Sequence, residues 1–140
     1  MNLTGKGPLG LTASAFDMLH AGHITMLQEA RSLCDHLVCC LHVDPSVERV
    51  HKSPPCQPVH ERFIQLQAVR YVDRIIPYQT EADLEAIISL LVPDVRIIGE
   101  EYRDAPFTGR DLCERLGVTI HYNRRRHGLS STLQRRRAVD

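Results

Sequence analysis

The sequence predicts an α/β fold: a doubly wound, five-stranded parallel sheet with helices on both faces, forming a single domain over residues 1–140. Three observations predict it. Short apolar runs alternate along the chain with amphipathic ones. Each apolar run has the length of a strand, while the segments between carry helical spacing. The 140 residues, 43% of them hydrophobic, suffice for one buried core. Such alternation favours right-handed crossovers, a parallel sheet covered on both faces, and a ligand crevice at the carboxyl ends of the strands.

The strands are expected at LGLTASA (9–15), HLVCCLHV (36–43), RIIP (74–77), VRIIG (95–99) and VTIHY (118–122). The first helix reads from ITMLQEARSLC (24–34). In PVHERFIQLQAVR (58–70), Val59, Phe63, Leu66 and Val69 or Arg70 share one face, with Pro58 suited to the first helical position. The clearest helix is TEADLEAIISLL (80–91): Thr80 and Asp83 form a capping-box-like start, Leu84, Ile87, Ile88 and Leu91 follow the i, i+3, i+4, i+7 pattern, and Pro93 stops it. TGRDLCERLG (108–117) repeats that logic, with Thr108 and Asp111 at its start and Gly117 as its cap. The proline-rich VHKSPPCQPVH (50–60) reads as a loop.

Composition narrows the function. A formal net charge of zero gives no general reason to expect nucleic acid or an anionic membrane as partner. The N-terminal residues lack the basic-then-apolar order of a signal peptide, and no apolar run approaches the roughly 18 residues of a membrane span, so a cytoplasmic protein is expected. The cysteines at 34, 39, 40, 56 and 113 are odd in number and form no C-x-x-C pair, which implies neither a disulfide framework nor a zinc knuckle. GKGPLG (5–10) matches G-x-G-x-x-G literally but precedes the first strand and contains Pro8, so it does not read as a dinucleotide site.

The chemistry concentrates in FDMLHAGHITML (16–27), where His20 and His23 flank Ala-Gly between a strand and a helix. A helix N-terminus after a parallel strand offers unpaired backbone N–H groups and partial positive charge, which suit phosphate. Gly22 lets that backbone approach a ligand closely. The two imidazoles add donors, since each presents an N–H whether neutral or protonated. The i, i+3 pair has no third or fourth partner for zinc, so no protein metal site is expected. The histidines at 36, 42, 51, 60, 121 and 127 have no comparable context.

The residues SAFDMLHAGHITML resemble the H-x-G-H motif of the small nucleotidylyltransferases, particularly the glycerol-3-phosphate cytidylyltransferase type and compact phage-encoded relatives. The resemblance continues through VHERFIQLQAVRYVDRIIPY, DVRIIGEEY and RRHGLSSTLQR, in the family's order and spacing. It implies a Rossmann-like domain that transfers a nucleotidylyl group from a nucleoside triphosphate bound with Mg²⁺, CTP above others, to a phosphorylated small-molecule acceptor. Pyrophosphate would leave. An adenylyltransferase of the same superfamily, or a nucleotide-binding regulatory protein without turnover, are the competing readings.

By the same resemblance, His20, His23, Lys52 and Arg125 would be catalytic. Ser14, Ala15, Phe16, Asp17, Gly22, Gly99 and Glu101 would line the nucleotide site, as would Leu129, Ser130, Ser131, Thr132 and Arg135 of the second signature. Asp17 would organise the loop or the metal, or else form an Asx turn. Glu101 would read the exocyclic amine of the base. Arg70 and Asp73 would pair at a homodimer interface. The arginine triplets 124–126 and 135–137 lack an interleaved aromatic platform, so triphosphate and not nucleic acid is the expected partner. Three positions depart from the family pattern: Ser14 and Ala15 replace its Gly-Thr, and Arg126 replaces the threonine after the signature arginine.

Overall fold

The computed structural model describes residues 7–124. The five strands form at the expected places: β1 (Leu9–Ser14), β2 (His36–His42), β3 (Arg74–Tyr78), β4 (Val95–Gly99) and β5 (Thr119–Asn123). All four pairings are parallel, in the order β3-β2-β1-β4-β5. The chain winds outward from β1 through β2 to β3, then returns to place β4 on the other side of β1. That reversal opens a crevice at the carboxyl ends of β1 and β4.

Among the described residues, four α-helices cover the two faces. α1 (Ala21–Ser32) and α2 (Val59–Gln67) pack over Phe16, Leu37, Cys39, Leu41 and Ile97 on one side, and α3 (Glu81–Leu91) and α4 (Arg110–Leu116) over Leu9, Leu11, Val38 and Cys40 on the other. Residues alternate in β1 and β2 between the two cores because a strand sends successive side chains to opposite faces. Cys39 and Cys40 are both fully buried and serve one core each. Burial pushes both thiols up, so they act as small apolar groups.

The helix ends show where local reading falls short. α3 is capped as expected: Thr80 Oγ1 accepts from Asp83 N–H (3.0 Å), and the Asp83 carboxylate accepts from Thr80 N–H (2.9 Å). α4 is not. Gly109, at φ 85°, is its N-cap, and Thr108 instead turns its carbonyl to Arg96 and its hydroxyl toward Arg49. Gly117 does close α4 in the left-handed region, at φ 74°. Pro58 sits one residue earlier than expected, as the N-cap of α2. α1 begins at Ala21, three residues before Ile24, and so takes Gly22 and His23 into its first turn.

The inward face of α2 holds a charged residue. Leu66 is buried and Val59, Phe63 and Val69 pack against the core, but Arg62 is 1% exposed, the most enclosed charged side chain in the described residues. Its guanidinium donates to four carbonyl oxygens: Gln57 (2.9 Å), Ala15 (2.9 Å), His42 (2.7 Å) and Val43 (2.5 Å). These lie just past β1, at the end of β2 and in the loop before α2. Burial lowers the Arg62 pKa, opposed by the carboxylates of Asp17 and Asp44. Replacing Arg62 by Met keeps the bulk but strands those carbonyls. Urea denaturation of Arg62→Met should show a loss of about 3 kcal/mol relative to wild type.

Candidate active site

A cleft of ≈ 470 Å³ opens at the carboxyl ends of the strands, lined by Thr12, Ala13 and Ser14 of β1, Gly99 at the end of β4 and Asn123 of β5, with the first turn of α1 above. His20 and His23 both line it, their ring centroids 4.0 Å apart. The two build the start of α1 as well as facing the cleft. His20 is the N-cap: its Nδ1 accepts from Gly22 N–H (3.0 Å), and its side chain also accepts from the His23 N–H, while His23 Nδ1 accepts from His20 N–H (3.2 Å). This is a reciprocal capping box made from two imidazoles instead of a hydroxyl and a carboxylate.

The cap decides the protonation state. A nitrogen that accepts a hydrogen bond carries no proton, so each neutral ring holds its proton on Nε2. Burial lowers the His20 pKa. His23 is lowered further, to about 4, by burial first and by His20 second, with Asp17 opposing. At neutral pH both rings are therefore uncharged Nε2–H donors, side by side at a helix N-terminus.

Asp17 and its neighbours hold the loop before α2 against this junction. The Asp17 carboxylate, 8% exposed, accepts from Cys56 N–H (2.8 Å) and Gln57 N–H (3.0 Å), and Gln57 Oε1 accepts from Met18 N–H (2.8 Å). Phe16 and Met18, on either side of Asp17, adopt φ of 49° and 52°, a left-handed conformation that costs non-glycine residues about 1–3 kcal/mol. Their hold is the buried Phe16 ring on one side and the Asp17–loop bonds on the other.

Of the residues read from the sequence, the cleft brings together Ser14, Ala15, His20, Gly22, His23, Lys52, Gly99 and Glu101. Lys52 and Glu101 are exposed at its rim. Two expected nucleotide contacts lie elsewhere. The Phe16 side chain is fully buried in the core under α1, and the Asp17 carboxylate points into the 56–57 backbone, so of its expected roles the loop-organising one matches its position. Arg70 and Asp73 do not pair with each other. Asp73 meets Arg31 Nε (2.9 Å) and accepts from Leu37 N–H (2.7 Å), while Arg70 donates to the Tyr71 hydroxyl (2.9 Å) and lies over the Tyr71 ring. Asp73 is held by Arg31 of α1 and Leu37 of β2, which a reading along one segment does not see. Arg125, Leu129, Ser130, Ser131, Thr132 and Arg135 lie outside the described residues.

The cleft also contains residues that the sequence reading gave no role. His42, stacked on Tyr78 (4.4 Å between centroids), Arg49, Glu81 and Arg96 all line it. Burial lowers the His42 pKa, with Glu81 opposing; burial, then Glu81, raises that of the Tyr78 phenol. Arg96 sits in β4 and is 4% exposed. Its signal was an arginine inside VRIIG, a charged residue in a run otherwise fit for a covered strand.

A doubly wound sheet with paired histidine donors at the helix N-terminus beside its switch point defines a nucleotidyltransferase of the Rossmann-like class. Sequence comparison names the family. The family model described as cytidylyltransferase-like matches residues 11–137, and the chain belongs to that family. It is 36% identical over 114 residues to the bifunctional protein HldE of Gluconacetobacter diazotrophicus and 38% identical over 114 residues to that of Mesorhizobium japonicum, covering 80% of this chain in each case. The match spans 23% of each relative's own length. Among solved structures, the lipopolysaccharide core biosynthesis protein of Thermoplasma volcanium superposes with a TM-score of 0.67 at 25% identity, over 86% of this chain and 98% of that one. Pantothenate synthetase of Thermus thermophilus shares the fold at a TM-score of 0.59 and 17% identity, over 84% of this chain and 55% of its own.

The His23 shift fixes a pH dependence. Its folded pKa of about 4 lies below the 6.5 of an unperturbed imidazole, so between those values the unfolded chain binds the extra proton. The associated stability is present above pH 6.5 and is lost as pH falls toward 4. His23→Asn keeps an acceptor at the position of Nδ1 and removes the titrating ring. Denaturant titrations from about pH 7 to 4 should show wild type losing stability more steeply than this variant.

Proposed function

We propose that this chain transfers an adenylyl group from ATP to a phosphorylated sugar, releasing pyrophosphate. The observation that carries the transfer is the pair of neutral, Nε2-protonated imidazoles at the start of α1, whose geometry is set by their mutual cap. Chemically, an oxygen of the acceptor phosphate attacks the α-phosphorus, a P–O bond forms, and the bond to the bridging oxygen breaks with its electron pair leaving on pyrophosphate. No covalent intermediate is needed. His20 and His23 donate to the oxygens on which negative charge builds, and the N-terminus of α1 adds its partial positive charge.

Lys52 at the rim is suited to close on the β- and γ-phosphates, its loop held by the Asp17 bonds to Cys56 and Gln57. Mg²⁺ enters with the triphosphate. Among the described residues no group of three His, Cys, Asp or Glu side chains could hold a metal ion. Arg125 and the residues of the second signature, Ser130, Ser131, Thr132 and Arg135, would complete the triphosphate site.

The nucleotide and acceptor rest on different support. The GEEY resemblance favoured CTP through Glu101. The curated relatives described above are HldE proteins, not proteins named for cytidylyl transfer, and Ser14-Ala15 and Arg126 depart from the cytidylyltransferase pattern. Adenine also has an exocyclic amine for Glu101 to accept from, and weight moves to ATP. CTP remains the second reading. A sugar acceptor is supported by the likeness to a lipopolysaccharide core biosynthesis protein over nearly all of that chain.

Pyrophosphate release should be measured with Mg²⁺, each ribonucleoside triphosphate and a panel of phosphorylated sugars and alcohols. Release with ATP and a sugar phosphate, reduced at least about 100-fold in His23→Asn, is the expected outcome. Release with CTP alone would return the base to the second reading. A homodimer is also proposed, from the exposed Arg70 and Ile64 of the α2 region. Light scattering of Arg70→Glu should then show a shift toward monomer, and an unchanged mass would argue against that surface. No helix among the described residues is long and apolar enough to cross a membrane.

A further inference from the structure

Gln57, half-buried in the loop before α2, is bonded to a different part of the molecule through its N–H, its carbonyl and its side chain. Its backbone N–H donates to the Asp17 carboxylate (3.0 Å), its carbonyl accepts from Arg62 Nε (2.9 Å), and its side-chain Oε1 accepts from Met18 N–H (2.8 Å). The first two bonds anchor the loop and do not depend on the side chain. The third acts on the backbone of the turn between β1 and α1. Met18 stands there in the left-handed region, at φ 52°, just ahead of Leu19 and His20. Phe16, the other residue of the turn with positive φ, is fixed by its fully buried ring, with a long bond from its N–H to Ser14 Oγ (3.4 Å). Met18 is only half-buried, so its hold is the bond from the opposing loop.

That bond has a consequence for the histidines. A side chain with a Cβ does not keep a positive φ unless its surroundings impose it. Released, Met18 would relax toward negative φ and turn the peptides that follow it. The N–H of His20 belongs to one of them, and it closes the reciprocal cap by donating to His23 Nδ1 (3.2 Å). A rotated peptide ahead of His20 opens that bond, and the cap is what sets both rings, leaving Nε2 of each as the donor at the cleft. We infer that Gln57 is a positioning residue for the transfer: its amide oxygen holds the Met18 peptide and thereby the aim of the His20 and His23 donors. The loop that carries Lys52 and the paired histidines are in this way locked to each other. The chemical consequence rests on the transfer reading, since donors to charge building on phosphorus act only when placed to within about 0.5 Å.

Gln57→Met keeps the reach of the side chain and removes its acceptor, whereas Gln57→Glu keeps an oxygen at the same distance along the chain. NMR of the imidazole nitrogens in the full chain reads the cap without any substrate. In Gln57→Met the ring signals of His20 and His23 should shift, while that of His36, at the amino end of β2, stays in place. In Gln57→Glu they should return toward their wild-type positions. In the pyrophosphate assay Gln57→Met should lower kcat about 10- to 100-fold and leave the KM for ATP within about threefold, because the backbone bonds of the loop remain. Gln57→Glu should recover kcat to within about fivefold of wild type. A side chain that merely stabilised the loop would raise KM and leave the histidine signals alone. A thermal melt checks folding, and Gln57→Asn, one methylene short of Met18, is the second variant and should show the same shift as Gln57→Met. Histidine signals unchanged in these variants, or a Gln57→Glu chain no nearer to wild type than Gln57→Met, overturn the inference. If no triphosphate and acceptor release pyrophosphate with the wild type, the transfer reading fails, and the histidine signals alone decide whether Gln57 sets the cap.

Discussion

The buried guanidinium of Arg62 is the interaction on which the site depends. Parallel strands end with carbonyl groups that the next element must satisfy or leave to water, and here several converge under a loop where water does not reach. Arg62 rises from α2 and takes the carbonyls of Ala15, His42, Val43 and Gln57 together. One side chain therefore fixes the end of β1 relative to the end of β2 and anchors the loop that carries Lys52. Few other side chains could do so, because a planar guanidinium presents five donors in a rigid fork. The charge it brings inside is balanced by Asp17 and Asp44.

The backbone between β1 and α1 makes sense on that foundation. Two non-glycine residues with positive φ in three positions would not persist in a loose loop. They persist because Phe16 is held in the core, Asp17 is bonded to the opposing loop, and Arg62 holds the carbonyl just before them. The outcome is a sharp exit from β1 that delivers His20 to the cap position of α1. Strain in the turn and order in the histidines are two sides of one arrangement.

Electrostatics then divide the cleft. The histidines are kept neutral by burial, and His23 by His20 as well, so the site does not carry two confined positive charges. Their donors are nonetheless in place, and the arginines and lysine around the cleft supply the field that attracts an anion. Glu81, paired with Arg49, and Arg96 line the same cleft.

The sequence by itself determined the sheet, the alternation of elements, the cap of α3 and the location of the paired histidines. Each of these is set by near neighbours: periodicity of apolar residues, turn chemistry, and a motif contained in four positions. It also contained the family, because the order of four short blocks is a property of the chain alone. The early start of α1 escaped because histidine is not an ordinary capping residue, and its role needed a second histidine three positions on. Arg62 escaped because α2 showed a consistent apolar face, and only packing against strand ends explains a charge within it. Asp73 went to Arg31 and Leu37, and Thr108 to Arg96 and Arg49, because partners brought close by the sheet outcompete those adjacent in sequence. Glu81, far along the chain from Arg49, became a cleft residue only when β2, β3 and α3 were packed together. Local forces write the elements into the sequence; the partners of buried charges are chosen by the fold, since only there is water absent and a distant group the sole means of satisfying them.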